Sequence, residues 1–174
     1  MEPQFHRRHP LVDATLVLIA LVLGSLALYQ DYYKPPVASI SGPSVLRARQ
    51  GETVTLPIFI DTAGQTINAA EVYLEFDPAK FEVTSISKDG SFFTIWIKDE
   101  PAYSNDDGKI SFAGGLPYPG FKGRGQVGTV TIKPKVAPLS TQLVFTTRTQ
   151  VLLNDGLGTK VPLRMAAIPV EVTK

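Results

Sequence analysis

The apolar positions of this 174-residue chain fall into two patterns that do not mix. From Leu11 to Tyr29 they form one almost unbroken run. After Pro35 and Pro36 they alternate with polar positions in short stretches, each closed by Gly, Pro, Asn or Asp. The first pattern is that of a helix apolar on every side. The second is that of half-buried β-strands, whose side chains point alternately to two faces.

Residues 14–30, ATLVLIALVLGSLALYQ, carry no formal charge. A helix over residues 11–33 would be about 34 Å long, enough for a hydrocarbon core of about 30 Å. His6, Arg7, Arg8 and His9 precede it, whereas only Asp31 and Lys34 follow closely. The excess of basic residues upstream predicts a single-pass anchor with residues 1–10 in the cytoplasm and the rest of the chain outside. Tyr29, Tyr32 and Tyr33 suit the outer interface. A second reading stays open. Ser25-Leu26-Ala27 has small residues at the spacing of a signal-peptidase site, and cleavage near Ala27 would release a secreted domain. The expected organisation is therefore a cytoplasmic segment (1–10), a transmembrane helix (11–33), a linker (34–37) and a β-domain (38–174).

In the β-domain the clearest strand is 67–76. Ala70, Val72, Leu74 and Phe76 are expected to face the core, and Ala69, Glu71, Tyr73 and Glu75 to face out. Further strands are expected at 37–41, 53–60, 81–86, 92–97, 109–113, 127–133, 142–147 and 168–172. For 92–97 the register is ambiguous: Phe93, Ile95 and Ile97 share one face, and Phe92, Thr94 and Trp96 the other. About nine strands separated by tight turns predict an all-β, antiparallel two-sheet sandwich. Composition agrees, since 12 of the 14 prolines lie at or beyond Pro35 and 13 of the 14 glycines follow Gly24. Such punctuation excludes long helices there.

Charge and residue types narrow the function. The formal net charge of +1 gives no footprint for nucleic acid. There is no cysteine, which excludes a disulfide scaffold. Both histidines, His6 and His9, precede the apolar run, so the β-domain lacks the side chains for Ser-His-Asp, Cys-His or His-based zinc chemistry. Glu71 and Glu75 share a face, but four strand steps part their backbones by about 13 Å, beyond the roughly 5–9.5 Å of glycosidase carboxyl pairs. The domain is expected to be no enzyme and to hold no cofactor. Asn105-Asp106-Asp107-Gly108 and Asn154-Asp155-Gly156 carry oxygens suited to calcium, yet lack the spacing of a helix-loop-helix calcium site and are also what tight turns require.

Several stretches carry a resemblance in order along nearly the whole domain. INAAEVYLEFDP (67–78) with the following FEV (81–83), SNDDGKISFAGG (104–115), VGTVTI (127–132) and VLLNDGLGT (151–159) resemble successive strands and turns of cohesin domains. The resemblance implies a nine-stranded jelly roll that is non-catalytic and binds dockerin modules in cellulose-degrading complexes. The fold is close to certain carbohydrate-binding modules. The dockerin-facing sheet would include 67–76, 92–97 and 109–113. Dockerin-binding members use an Asn and an Asp two residues apart on the first of these strands. Aligned through Phe76-Asp77-Pro78, those positions here are Ala69 and Glu71, so the carboxylate is kept and the amide lost.

Two contact surfaces follow, and a third role besides. A protein partner, dockerin-like or other, would meet Glu71, Tyr73 and Glu75 with Lys109 and Ser111 beside them. A polysaccharide would instead need exposed rings, with Trp96, Tyr103 and Tyr118 as candidates. Trp96 equally suits the core. A structural subunit of an envelope assembly would need an unpaired edge strand.

Overall fold

A computed structural model describes residues 10–32, 36–97 and 102–174, with side chains from 14 onward and not for 30–32. The chain divides into two compact units, Met1–Pro35 and Pro36–Lys174. The first contains helix α1, Pro10–Tyr32. Leu16, Leu18, Leu21 and Leu23 are among its exposed apolar side chains. Among the described residues no helix is long and apolar enough to cross a membrane. The expected end of the helix at Tyr33, and Lys34 and Pro35 of the linker, lie outside the described residues.

The second unit is a β-sandwich of thirteen strands rather than about nine. Four of nine extended runs each contribute two strands instead of one. The first run is β1 (Ala38–Ser41) and β2 (Leu46–Arg49), followed by β3 (Val54–Asp61), β4 (Ile67–Glu75) and β5 (Phe81–Ser87). The fifth run is β6 (Ile95–Trp96) and β7 (Ala102–Ser104), then β8 (Lys109–Gly115) and β9 (Arg124–Pro134). The eighth is β10 (Leu139–Phe145) and β11 (Gln150–Leu153), and the last is β12 (Leu163–Met165) and β13 (Ile168–Thr173).

One sheet has the order β12-β1-β3-β9-β5, and the other β2-β13-β10-β4-β8-β6, with β11 also on β4 and β7 also on β8. The first and last runs each start in one sheet and finish in the other. They lie side by side and parallel in both, as β1 with β12 and β2 with β13. This corrects the expectation of a wholly antiparallel sandwich. The first run crosses at Gly42-Pro43. Proline has no N–H for a ladder, and a side chain at Gly42 would come within 2.7 Å of Ile168 Cδ1 and 3.1 Å of Leu56 Cδ1. The chain thus passes close over the core, where a side chain would have to push the tip of Ile168 aside.

Alternation places the core between the sheets. Leu56, Ile58 and Ile60 of β3 face Ala70, Val72 and Leu74 of β4, all six essentially without solvent contact. The expected inward and outward rows of β4 are both found. The expected strand 92–97 is mostly not a strand, and neither alternating face describes it. Phe93 is buried while Ile95 and Ile97 are exposed. Phe92 stacks on Phe121 with centroids 3.9 Å apart. These ring contacts take the chain into the core before it joins the sheet at Ile95.

Phe93 packs directly over Gly114, where a methyl group would collide with its ring. Gly114→Ala is therefore expected to cost about 1–3 kcal/mol, the usual penalty of overpacking, read as a lower midpoint in chemical denaturation. Asp77, at the turn between β4 and β5, accepts hydrogen bonds from Lys80 and from the Ala79 N–H, which hold its carboxyl below the ordinary 3.8. A depressed carboxyl stabilises the fold above its unfolded pKa, and that contribution is lost as pH falls through the lower folded value. Urea midpoints measured near neutrality and at about pH 3 should differ less in Asp77→Asn than in the parent.

Candidate functional site

The outer face of the second sheet is built on β4 and β8. Their antiparallel register sets Glu75 against Lys109, Tyr73 against Ser111, Glu71 against Ala113 and Ala69 against Gly115. Directly paired residues share a face. The structure therefore brings all five expected protein-contact residues, Glu71, Tyr73, Glu75, Lys109 and Ser111, onto one surface. Glu75 and Lys109 are exposed, and the other three are half-buried.

Tyr73 forms a ridge across this surface. Its hydroxyl donates to Glu71 Oε2 at 3.3 Å. The Arg148 guanidinium lies over its ring, 4.2 Å from the centroid, within range of a cation–π contact. On one side of the ridge is a shallow cleft of about 400 Å³ lined by Glu75, Lys109, Ser111, Thr146, Thr147 and Arg148 as well as Tyr73 itself. On the other is a smaller cleft of about 170 Å³, with Glu71, Ile97, Ala102, Ser111 and Ala113 in its lining.

Arg148 is placed by a break in its strand. β10 pairs with β4 as far as Phe145 opposite Leu74, and β11 resumes with Gln150 opposite Glu71. Five steps on one strand thus cover three on the other, and the surplus residues form a turn. The ladder at Tyr73 survives through Thr149. Its hydroxyl accepts from the Tyr73 N–H and donates to the Tyr73 carbonyl, both at 3.1 Å. The Thr146 N–H donates to the same carbonyl at 2.9 Å. Thr149 is one of two buried polar side chains among the described residues.

The far half of the face is apolar. Ala69 lies between Gly115 of β8 and Leu152 of β11. Ile95 pairs with Gly115 and is 54% exposed, and Ile97 is 48% exposed. At the position where the family resemblance would put an amide, this chain therefore has a small apolar side chain in apolar surroundings. Ile95, Ile97, Leu152 and Arg148 belong to the face and were not among the expected contacts. The alternation of 92–97 held a signal for the two isoleucines. Nothing local signalled Arg148, which reaches Tyr73 only because the turn lies against β4.

The three ring candidates for a polysaccharide do not form one platform. Trp96 pairs with Gly114, turns inward and packs edge-on to Phe93 at 6.1 Å and tilted on Phe112 at 6.2 Å. Tyr103 spans the sandwich edge, its hydroxyl donating to the Thr84 carbonyl of β5 at 3.1 Å. Tyr118 alone is fully outside, in the loop after β8. The two Asn/Asp/Gly segments are engaged within the domain, the first through a cross-strand contact and the second in its own turn. Asn105 accepts from the Val83 N–H at 2.8 Å and donates to the Val83 carbonyl at 2.9 Å. Asp155 accepts from Thr159 and from the Leu157 N–H, which holds its carboxyl below 3.8. No group of three or more His, Cys, Asp and Glu suited to a metal occurs among the described residues.

A family model described as the cohesin domain matches residues 39–164, and the chain belongs to that family. Comparison with curated proteins finds no match. Among solved structures, CaCohA2 from Clostridium acetobutylicum superimposes with a TM-score of 0.66 at 16% identity, over 80% of this chain and 93% of its own. The non-cellulosomal cohesin from the hyperthermophilic archaeon Archaeoglobus fulgidus gives 0.63 at 17%, over 79% and 92%. A structure from Clostridium thermocellum, the Coh-OlpC-Doc435 type I cohesin–dockerin complex, gives 0.63 at 15%, over 79% and 94%. At these identities the likeness is one of fold.

Thr149→Val keeps the shape but leaves the Tyr73 N–H unpaired. It should cost about 1–3 kcal/mol, the penalty of an orphaned buried donor, seen as a fall in thermal midpoint. Thr149→Ser, which keeps the hydroxyl, should recover most of the loss.

Proposed function

We propose that this domain is a non-catalytic binding module that takes a protein partner, dockerin-like in kind, on the outer face of its second sheet. The observation that carries the reading is the change in character of that face along its length. Glu71, Glu75, Lys109 and Arg148 lie around a polar half, and Ala69, Ile95, Ile97 and Leu152 around an apolar half. An apolar area beside fixed polar groups, on rigid strands, matches the anatomy of a protein interface. The cohesin–dockerin complex among the structural neighbours supports a partner of this class. Loss of the amide at Ala69 points to a partner that presents an apolar side chain there. A polysaccharide reading would need a flat group of exposed rings, and Trp96 and Tyr103 have other engagements.

The module would stand outside a membrane, tethered by the segment that includes α1. Support comes from the uncharged stretch 14–30 and the basic residues upstream of it.

The test is binding of the detergent-solubilised full chain to a panel of immobilised type I and type II dockerin modules, with insoluble cellulose in parallel. At least one dockerin should be captured. Glu71→Lys/Tyr73→Ala and, separately, Ile95→Asp should weaken that capture about 10- to 100-fold, as loss of central contacts does. Lys133→Glu, on the other sheet, should leave it unchanged. Retention on cellulose without capture of any dockerin, insensitive to these changes, would overturn the reading.

A further inference from the structure

Two loops at one end of the sandwich hold its two most exposed large apolar side chains. Tyr118 is 88% exposed and Leu157 85%. Neither loop is loosely attached. Asn154 Nδ2 donates to the Pro119 carbonyl at 2.8 Å, and the Asn154 N–H donates to the Thr66 carbonyl at 2.9 Å. Gly120, at a φ of +84°, leaves no room for a side chain between Ile67 O, Thr66 and Asn154. The Leu157 N–H is held by Asp155 Oδ1 at 2.9 Å. Both apolar tips are thus presented to solvent by braced turns.

This is also the end at which the chain enters the domain. Gln65 Nε2 donates to the Pro36 carbonyl at 2.9 Å, and the Ala38 N–H donates to the Pro162 carbonyl at 2.9 Å. Val37, beside them, is a third exposed apolar residue. Lys122 follows the Tyr118 loop and Lys160 the Leu157 turn, both exposed and neither in an ion pair among the described residues. The acidic groups at this end are Asp61, set against Arg124 across the strands, Asp155, and Asp89 in the turn held by Gln126. Lys88, Lys122, Arg124 and Lys160 outnumber them by one.

We propose that this end is a membrane foot, where Tyr118 and Leu157 dip into the headgroup layer of a bilayer and Lys122 and Lys160 meet anionic lipid headgroups. The inference rests on the tether proposed above. Residues 33–35 reach about 10 Å at full extension, so a bilayer holding the preceding helix would come within range of these loops. Tyrosine favours the interface between water and lipid, and lysines gain from an anionic surface. Single apolar tips on separate loops, bracketed by cations, suit a deformable headgroup layer. A protein partner would ask for a contiguous patch.

The chain has no cysteine, so one introduced thiol carries one label. Leu157→Cys and Val136→Cys would each be made in the full chain, synthesised with vesicles containing anionic phosphatidylglycerol and labelled with an environment-sensitive fluorophore. Val136 lies just beyond the other end of β9, about 35 Å away along the strand, and serves as control. The vesicles should carry the chain upward in flotation. Nitroxide lipids should then quench the Leu157 label several-fold more than the Val136 label. Adding Lys122→Glu and Lys160→Glu should reduce the difference, as should neutral lipid. Flotation with equal quenching at both positions would overturn the foot and leave the tether standing. A chain that stays behind in flotation would overturn both.

Discussion

Alternation along β4 is the constraint on which both the core and the candidate face depend. Ala70, Val72 and Leu74 are buried between the sheets, so the residues between them must face outward. A slip of one residue would bury Glu71 and Glu75 and expose three core side chains, at several kcal/mol for each unpaired charge. The neighbours of β4 hold that register from both sides. β8 pairs with it along seven residues, and β10 and β11 pair with it from the other edge. The face is rigid because the core is.

Irregularity supplies what alternation cannot. A continuous strand beside β4 would carry its side chains in line with those of β4. The turn between β10 and β11 instead raises Arg148 over the Tyr73 ring, while the Thr149 hydroxyl keeps the backbone of Tyr73 paired. The interruption therefore adds a cation to the face without leaving a buried donor orphaned. A similar economy operates in the first and last runs. Each changes sheet, and their parallel pairing in both sheets ties the two layers together along one side.

The face differs in character along its length, and the difference traces to small residues. Ala69, Ala113 and Gly115 leave low ground in the middle strands. Ile95 and Leu152 stand beside it on the flanking strands. The surface is apolar where the small residues cluster and polar where Glu71, Glu75 and Lys109 project. A partner fitted to both halves would be held in one orientation, because neither half can accept the chemistry of the other.

The sandwich class and the inward and outward rows of β4 were legible in the sequence, while the placing of Lys109 and Ser111 beside Glu71, Tyr73 and Glu75 came from the resemblance to cohesin domains. The class and the rows follow from a period of two and from turn residues at the strand ends, which are local properties. The sequence left Trp96 open between core and surface, because the choice lay in how rings pack in the folded domain: Phe93 and Phe112 close around the indole, and Phe121 draws Phe92 aside. Where strands break and change sheets was settled by long-range packing. Those breaks depend on what lies across the core, as Ile168 does beneath Gly42, and on cross-strand partners such as Tyr73 for Thr149. Arg148 joined the face for the same reason, since its neighbour Tyr73 stands 75 residues earlier in the chain and only the packed sheet brings the two together.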